Sequence, residues 1–156
     1  MYAPLHADSG LTISGSLTIG PRLEGDAIEL LHAITPASLR SSLDAKPSAL
    51  VDALAPGHPG GPNPWVSCPD GCCLDISESA YVRVDAIEPW LAYLVGTLFA
   101  SHTFTGALMF WDHADRSFSA LVVEGTRVRR QAVLRRAPHR AGKSGRDKAA
   151  GRLRAI

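Results

Sequence analysis

The sequence predicts an α+β domain, in which an antiparallel sheet carries two main helices on one face in the order β-α-β-β-α-β-β-β. Apolar residues alternate along 11–19 and again in later segments, which is the pattern of strands with one buried face. In 26–34 and 87–98 they recur every three or four residues, which is typical of helices with an apolar stripe. The change of period along the chain therefore predicts both a sheet and the helices that cover it.

Turn and stop signals divide the first half of the chain. Gly20-Pro21 ends the first strand, and Thr35-Pro36 ends the first helix because proline cannot continue the hydrogen-bond ladder. Residues 36–45 and 48–54 predict two additional helical turns. The segment 55–64 contains four prolines and three glycines, so a loop is predicted there.

A hairpin is predicted after this loop. Residues 65–68 and 72–76 resemble strands, and Pro69-Asp70-Gly71 between them has the composition of a tight turn. Proline presets φ, aspartate can bond its own backbone, and glycine accepts a positive φ.

The second main helix is predicted to lie at the centre of the core. A short extended piece at 81–84 leads into it, and Asp85 and Glu88 have the spacing of a capping box, with Pro89 in the first turn. Three strands joined by short turns then predict an antiparallel meander: 104–111, 117–123 and 127–134.

Length and composition predict one soluble globular domain, residues 10–134, followed by a C-terminal extension, residues 135–156. The chain has 156 residues with a mean hydropathy of +0.03. Its longest apolar run, 90–100, is about half of the ~20 residues that cross a bilayer, so no membrane partner is expected. The N-terminus has no secretory signal pattern, and the cysteines are few, so a reducing cytoplasmic location is expected.

Short motifs distributed over residues 10–130 carry a family resemblance. They are Gly15-Ser16-Leu17-Thr18-Ile19 with Pro21, Asn63-Pro64-Trp65-Val66, Asp70-Gly71, Leu74, Glu78 with Tyr81, Trp90-Leu91, Tyr93-Leu94, Gly106 with Leu108, Leu121-Val122-Val123 and Val128. In these the chain resembles a family of small, uncharacterised α+β proteins of high-GC bacteria and their phages. The resemblance implies the fold and supplies no functional residue. The clustered cysteines and the basic C-terminal extension depart from the family pattern.

The net charge of +1 conceals a strong asymmetry. Residues 1–126 hold five basic and fourteen acidic side chains, a net charge of −9, whereas residues 127–156 hold eleven basic and one acidic, a net charge of +10. An acidic body joined to a basic terminus is a pattern of interaction tails.

The basic terminus predicts contact with nucleic acid or with an acidic protein surface. Arginine suits phosphate because its planar guanidinium donates two hydrogen bonds and stays charged. The tail contains no aromatic residue for base stacking, and it could instead fold back on the acidic body or serve only solubility. The candidate nucleic-acid-binding residues are Arg129, Arg130, Arg135, Arg136, Arg140, Lys143 and Arg146.

Three clustered cysteines, Cys68, Cys72 and Cys73, are the candidate metal ligands, with zinc as the possible cofactor. A structural zinc site needs four ligands, and the nearest histidines, His58, His102 and His113, are isolated in the sequence. The cysteines could therefore be small residues of a hairpin. A small metal-binding or thiol-dependent enzyme that uses them with His113 is the alternative function.

No catalytic residue is predicted. The chain lacks the G-x-S-x-G elbow of a serine hydrolase, and APHRAGKS at 137–144 misses the phosphate-loop pattern because Ala137 stands where glycine is required. No nucleotide is therefore expected. The leading hypothesis is a non-enzymatic accessory or interaction protein, such as one of a mobile element.

Overall fold

The computed structural model describes residues 10–35, 47–77 and 83–134, and it confirms the α+β fold. Its described part contains a seven-stranded antiparallel sheet and three α-helices. The strands are β1 Leu11–Ser14, β2 Leu17–Gly20, β3 Trp65–Ser67, β4 Cys73–Ile76, β5 Thr103–Asp112, β6 Ser117–Gly125 and β7 Arg127–Leu134. The helices are α1 Gly25–Ala33, α2 Pro47–Leu54 and α3 Val84–Tyr93, which continues as a π-helical segment, Leu94–Leu98.

The sheet order is β3-β4-β2-β5-β6-β7, with β1 also paired to β5. Ser14 pairs with Met109 and Leu17 with Gly106, so β1 and β2 keep one register and form a single interrupted strand along β5. The interruption includes Gly15, at φ +107°, where a Cβ would lie 2.5 Å from the carbonyl oxygen of Ala107. The predicted strand 11–19 is thus present in two pieces, because the positive φ of Gly15 interrupts the extended backbone between them.

One face of the sheet is covered by the helices and holds the core. Register places Leu17, Leu74 and Phe104 on this inner face, and all three are fully buried. Trp65 lies on the same face and donates its indole N–H to the carbonyl of Ile87 in α3, at 3.0 Å. The residues that alternate with these point to the outer face of the sheet.

The start of α3 differs from the prediction. Val84 is the first helical residue and does not belong to an extended piece. Arg83 before it has an extended backbone, and residues 81 and 82 lie outside the described residues. The prediction of a capping box is wrong. Arg83 occupies the N-cap, and its guanidinium donates two hydrogen bonds to the Asp85 carboxylate, at 2.6 and 3.1 Å. Pro89 consequently lies inside the helix, beyond its first turn.

The end of this helix also differs. The stripe 87–98 predicts one continuous α-helix, but from Leu94 the backbone widens to a π-helical turn, in which Phe99 N–H donates to Leu94 C=O at 2.8 Å. Both Leu94 and Val95 are fully buried there. Of the predicted helical turns, 48–54 is confirmed within α2, whereas 36–45 lies outside the described residues. In the described ranges, no helix is long and apolar enough to cross a membrane.

Candidate functional site

The turn between β3 and β4 brings the three cysteines together. Cys68 N–H donates to Cys73 C=O at 3.1 Å, and Gly71 N–H donates to Cys68 C=O at 2.9 Å, which closes the turn. Ser67 pairs with Leu74, so the next pair along the ladder sets Cys68 opposite Cys73. Since Leu74 points inward, both of these cysteines point to the outer face.

The turn is clamped to the segment that precedes α1. Leu23 N–H donates to Gly71 C=O at 2.9 Å, and Gly71 adopts a φ of +66°. A Cβ at this position would lie 2.4 Å from the carbonyl oxygen of Leu23, so glycine is needed both for conformation and for space. The clamp holds the cysteines in a fixed backbone frame.

The three sulfur atoms form a compact group. All three Sγ atoms lie within 4.8 Å of one another, and those of Cys68 and Cys72 are 3.4 Å apart. The backbone N–H groups of Cys72 and Cys73 donate to Cys68 Sγ at 3.3 and 3.2 Å. All three residues are partly exposed, so the group is accessible from solvent. Two backbone dipoles therefore point at one reachable sulfur, as they would at an anion.

This arrangement favours the ionised form of Cys68. Burial opposes ionisation, but hydrogen bonds from the thiols of Cys73 and Cys72 and from their two backbone N–H groups outweigh it and lower the pKa of Cys68 from 9.0 to about 7. Half of the Cys68 side chains are thus thiolate near neutral pH, which is the form that binds metals and attacks electrophiles.

The other two thiols hold their protons more tightly. The hydrogen bond to Cys68 and burial raise the pKa of Cys72, although the positive charge of Arg22 nearby works in the opposite direction. Burial and the hydrogen bond to Cys68 raise the pKa of Cys73 to about 12, and the charge of Asp75 adds to this. Without a cation, the cluster is therefore one thiolate solvated by two thiols.

The spacing of the sulfurs suits a single metal ion. Zinc–sulfur bonds of about 2.3 Å in a tetrahedral site place the sulfurs about 3.8 Å apart. The Cys68–Cys72 distance of 3.4 Å and the 4.8 Å limit for the group bracket this value, so side-chain rotations that move the sulfurs by about 1 Å or less would complete the geometry. Among the described residues, no histidine, aspartate or glutamate joins this group as a fourth ligand.

The histidines singled out from the sequence lie in other structural settings. His58 binds Asp52 at 2.8 Å, accepts the N–H of Gly60 at 3.0 Å and stacks on Trp90, so it anchors the proline-rich loop. His102 contacts Phe99 and the hydroxyl of its neighbour Ser101.

His113 is remote from the cysteines. It binds Thr12 Oγ1 at 2.8 Å, whereas Cys73 pairs with Thr18 further along the same interrupted strand. At about 3.3 Å per residue, the two places are about 20 Å apart. The structure therefore does not combine His113 with the thiols in one site.

Two of the candidate nucleic-acid-binding residues, Arg129 and Arg130, lie on opposite faces of β7. Arg130 points inward, binds Glu88 at 3.1 Å and covers the ring of Phe110 at 4.6 Å. Arg129 is exposed on the outer face, opposite Val122. Arg135, Arg136, Arg140, Lys143 and Arg146 lie outside the described residues.

Sequence reasoning identified the thiols but not what surrounds them. The N–H donors to Cys68 Sγ depend on the turn backbone, and the Arg22 charge depends on a segment that is distant in sequence. The available signal was the Pro-Asp-Gly turn directly between the cysteines, which already predicts that the chain reverses there and brings Cys68 back to Cys72 and Cys73.

Comparison of the chain with protein-family models, curated proteins and solved structures finds no match. The resemblance to small α+β proteins of high-GC bacteria and their phages therefore stays a prediction.

Proposed function

We propose that this protein binds one thiophilic metal ion, zinc in the first instance, through Cys68, Cys72 and Cys73. The observation that carries the proposal is the approach of all three Sγ atoms to within 4.8 Å of one another on an accessible turn. Thiolates are soft ligands that select zinc or copper(I) over magnesium and calcium.

The hydrogen bonds favour this function over a purely structural role for the cysteines. A hairpin needs no negative charge at its turn, yet two backbone N–H groups and two thiols direct their hydrogens at Cys68 Sγ. They would orient this sulfur as the first ligand. The cation would then displace the protons of the other two thiols, because a bound metal deprotonates its thiol ligands.

Three thiolates leave one coordination position for water or for an external ligand. Zinc sites with three protein ligands and an open position are those that perform chemistry or bind a further molecule. Three thiolates and a divalent cation together carry a charge of −1, and Arg22 beside Cys72 would offset it. The proposed site is therefore a binding centre and not a closed structural zinc site.

A zinc titration against a chromogenic chelator tests this function. Wild-type protein should take up one equivalent, and Cys68→Ser, Cys72→Ser and Cys73→Ser should each bind far more weakly. His113→Ala is the matched control, since it removes a potential ligand elsewhere and should bind like wild type. Less than a tenth of an equivalent bound to wild type, or unchanged binding in the serine variants, would refute the proposal.

A second candidate function, binding of single-stranded nucleic acid, is favoured by the outer face of the sheet. Trp111 is 36% exposed on this face, and its ring centroid lies 6.1 Å from that of Phe118. The exposed Arg129 shares the face. Aromatic rings on an open sheet face, next to arginine, are a known way to stack bases and hold phosphates.

The position of this aromatic pair relates it to the basic terminus. Trp111 pairs with Phe118, and Phe118 pairs with Leu134, after which the basic extension begins. A strand of nucleic acid on this face would stack on these rings, and the exposed Arg129 would contact its phosphates.

Fluorescence titration with an oligonucleotide tests the second function. Truncation after Leu134 should weaken binding and reduce its salt dependence, whereas Trp111→Ala should weaken binding, by about 1–3 kcal/mol for one stacked base, with the salt dependence unchanged. If the full chain retains an acidic protein but shows no affinity for oligonucleotides, nucleic-acid binding is refuted.

A further inference from the structure

We propose that the same turn is a two-electron thiol switch, in which a peroxide oxidises Cys68 and Cys72 to a disulfide. Disulfide formation itself does not depend on the proposed metal site. The consequence that oxidation releases the metal ion does rest on that proposed function. The geometry points to these two residues because their Sγ atoms, at 3.4 Å, are already in contact.

Cys68 is the sulfur that reacts first. The backbone N–H groups of Cys72 and Cys73 both point at its Sγ, so negative charge is stabilised on this atom. Its partial exposure gives a small oxidant access. Attack of the Cys68 thiolate on hydrogen peroxide forms a sulfur–oxygen bond and breaks the oxygen–oxygen bond. It leaves Cys68 as a sulfenic acid and releases hydroxide, which takes up a proton to become water.

Cys72 then resolves the sulfenic acid. Its sulfur attacks Cys68 Sγ, the sulfur–sulfur bond forms, the sulfur–oxygen bond breaks, and the departing hydroxide leaves as water with the proton of Cys72. Two thiols have lost two electrons in total, and one peroxide has become two waters. The two sulfurs need to approach by about 1.4 Å to reach the disulfide bond length of about 2.05 Å.

Cys73 is less suited to be the resolving residue. It lies in β4, where pairing with Thr18 of β2 fixes its backbone, whereas Cys72 precedes the strand. The carbonyl of Cys72 also accepts the N–H of Ile19 in β2, at 2.9 Å, so it is the 3.4 Å contact between the Sγ atoms of Cys68 and Cys72 that favours Cys72 as the resolving residue. The disulfide removes two of the three proposed metal ligands, and Cys73 alone would not retain the ion.

The test treats the metal-free full chain with hydrogen peroxide, alkylates the remaining thiols and locates the modified cysteine by tandem mass spectrometry. Wild type should lose two hydrogens and become alkylated only at Cys73. Cys73→Ser should still form the disulfide between Cys68 and Cys72, because the contact between these two sulfurs does not involve Cys73. Cys72→Ser should form none and should instead accumulate a sulfenic acid at Cys68 that a dimedone probe captures. A disulfide between any other pair, or loss of the disulfide in Cys73→Ser, would overturn the proposal.

A second measurement separates this proposal from the metal proposal. Zinc-loaded wild type is treated with peroxide while a chromogenic chelator reports free zinc, and release should follow disulfide formation with the same time course. Disulfide formation in a chain that binds no zinc would refute the metal site and leave the thiol pair supported. Zinc binding with thiols that peroxide leaves reduced would refute the switch alone.

Discussion

Two hairpin turns of the sheet, β3–β4 and β5–β6, place reactive side chains in opposite chemical situations. In the β5–β6 turn, His113 Nδ1 accepts the indole N–H of Trp111 at 3.1 Å, and its Nε2 meets Thr12 Oγ1 at 2.8 Å. Asp112 Oδ1 accepts two backbone N–H groups of its own turn, at 2.9 and 3.0 Å. The side chains of His113 and Asp112 therefore hold the turn and join it to β1.

In the β3–β4 turn, the described hydrogen bonds of the thiols concentrate on one sulfur. Cys68 Sγ accepts hydrogen bonds from two backbone N–H groups and lies close to the thiols of Cys72 and Cys73. A cation bound to the three sulfurs would take the place of the thiol protons. Residue type alone therefore does not identify a site. A site is identified by the atoms that can still bind an external ligand once the hydrogen bonds of the local structure have been made.

The largest expected effect that would sharpen this contrast is a difference in alkylation rate inside the cluster. At pH 7, Cys68 is about half thiolate while Cys73, with a pKa of about 12, is almost entirely protonated. After allowance for the lower intrinsic nucleophilicity of the more acidic thiol, we expect Cys68 to react roughly several-hundred-fold faster with iodoacetamide. Its rate should fall tenfold per pH unit below pH 7, because only the thiolate reacts. Peptide mass spectrometry measures the two rates. Equal alkylation rates at Cys68 and Cys73 would contradict the preferential ionisation of Cys68.

The affinity for zinc should depend steeply on pH. Cys72 and Cys73 hold protons at neutral pH, since their pKa values are raised, and metal binding has to release both of them. We expect the affinity to rise with pH, by roughly 100-fold per unit between pH 7 and 8. Competition titrations at a series of pH values measure this slope. An affinity that does not change over this range would show that the two thiols are not ligands.

The clamp beneath the cysteine turn predicts a loss of stability. Gly71→Ala should lower the free energy of unfolding by about 3 kcal/mol, because it combines a left-handed backbone with a clash against the Leu23 carbonyl. Gly125→Ala is the matched control, since Gly125 has nearly the same φ, +65°, and open space around its Cα. This control should cost only about 1 kcal/mol. Urea denaturation measures the free energy of unfolding of both variants. Equal losses would show that the close approach of Gly71 to the Leu23 carbonyl does not contribute to the effect.

The smallest effect is expected in the β5–β6 turn. His113→Ala leaves Trp111 and Thr12 without their shared partner, but both hydrogen bonds are exposed, so water replaces it at a cost of about 0.5 kcal/mol or less. Thermal unfolding measures this change. A loss of several kcal/mol would mean that this turn carries more of the fold than its exposure indicates.

Much of the fold could be predicted from the spacing of apolar residues and from the turn residues. The strand prediction 127–134 coincides with β7, and the loop at 55–64 and the hairpin around Pro69-Asp70-Gly71 are present, because alternation and turn residues are local properties. The start of α3 could not be predicted, since the Arg83–Asp85 pair competes with the capping box. The π-helical turn at Leu94–Leu98 was also hidden, because a buried apolar run has the same appearance in α- and π-helices.

The candidate site was predictable in part. The sequence places Cys68, Cys72 and Cys73 around a predicted turn, and in the structure their Sγ atoms lie within 4.8 Å of one another. The special state of Cys68 could not be predicted, because it arises from backbone N–H directions that the sequence does not encode residue by residue. The isolation of His113 from the thiols likewise follows from the register of β1 and β2 on β5.

X-ray absorption at the zinc edge on the full chain, loaded with one equivalent of zinc, tests the central claim most directly. The three-thiolate site predicts three sulfur neighbours at about 2.3 Å and one lighter oxygen or nitrogen neighbour. The first shell should lose one sulfur in Cys73→Ser. A first shell of oxygen and nitrogen with one sulfur or none would contradict the account.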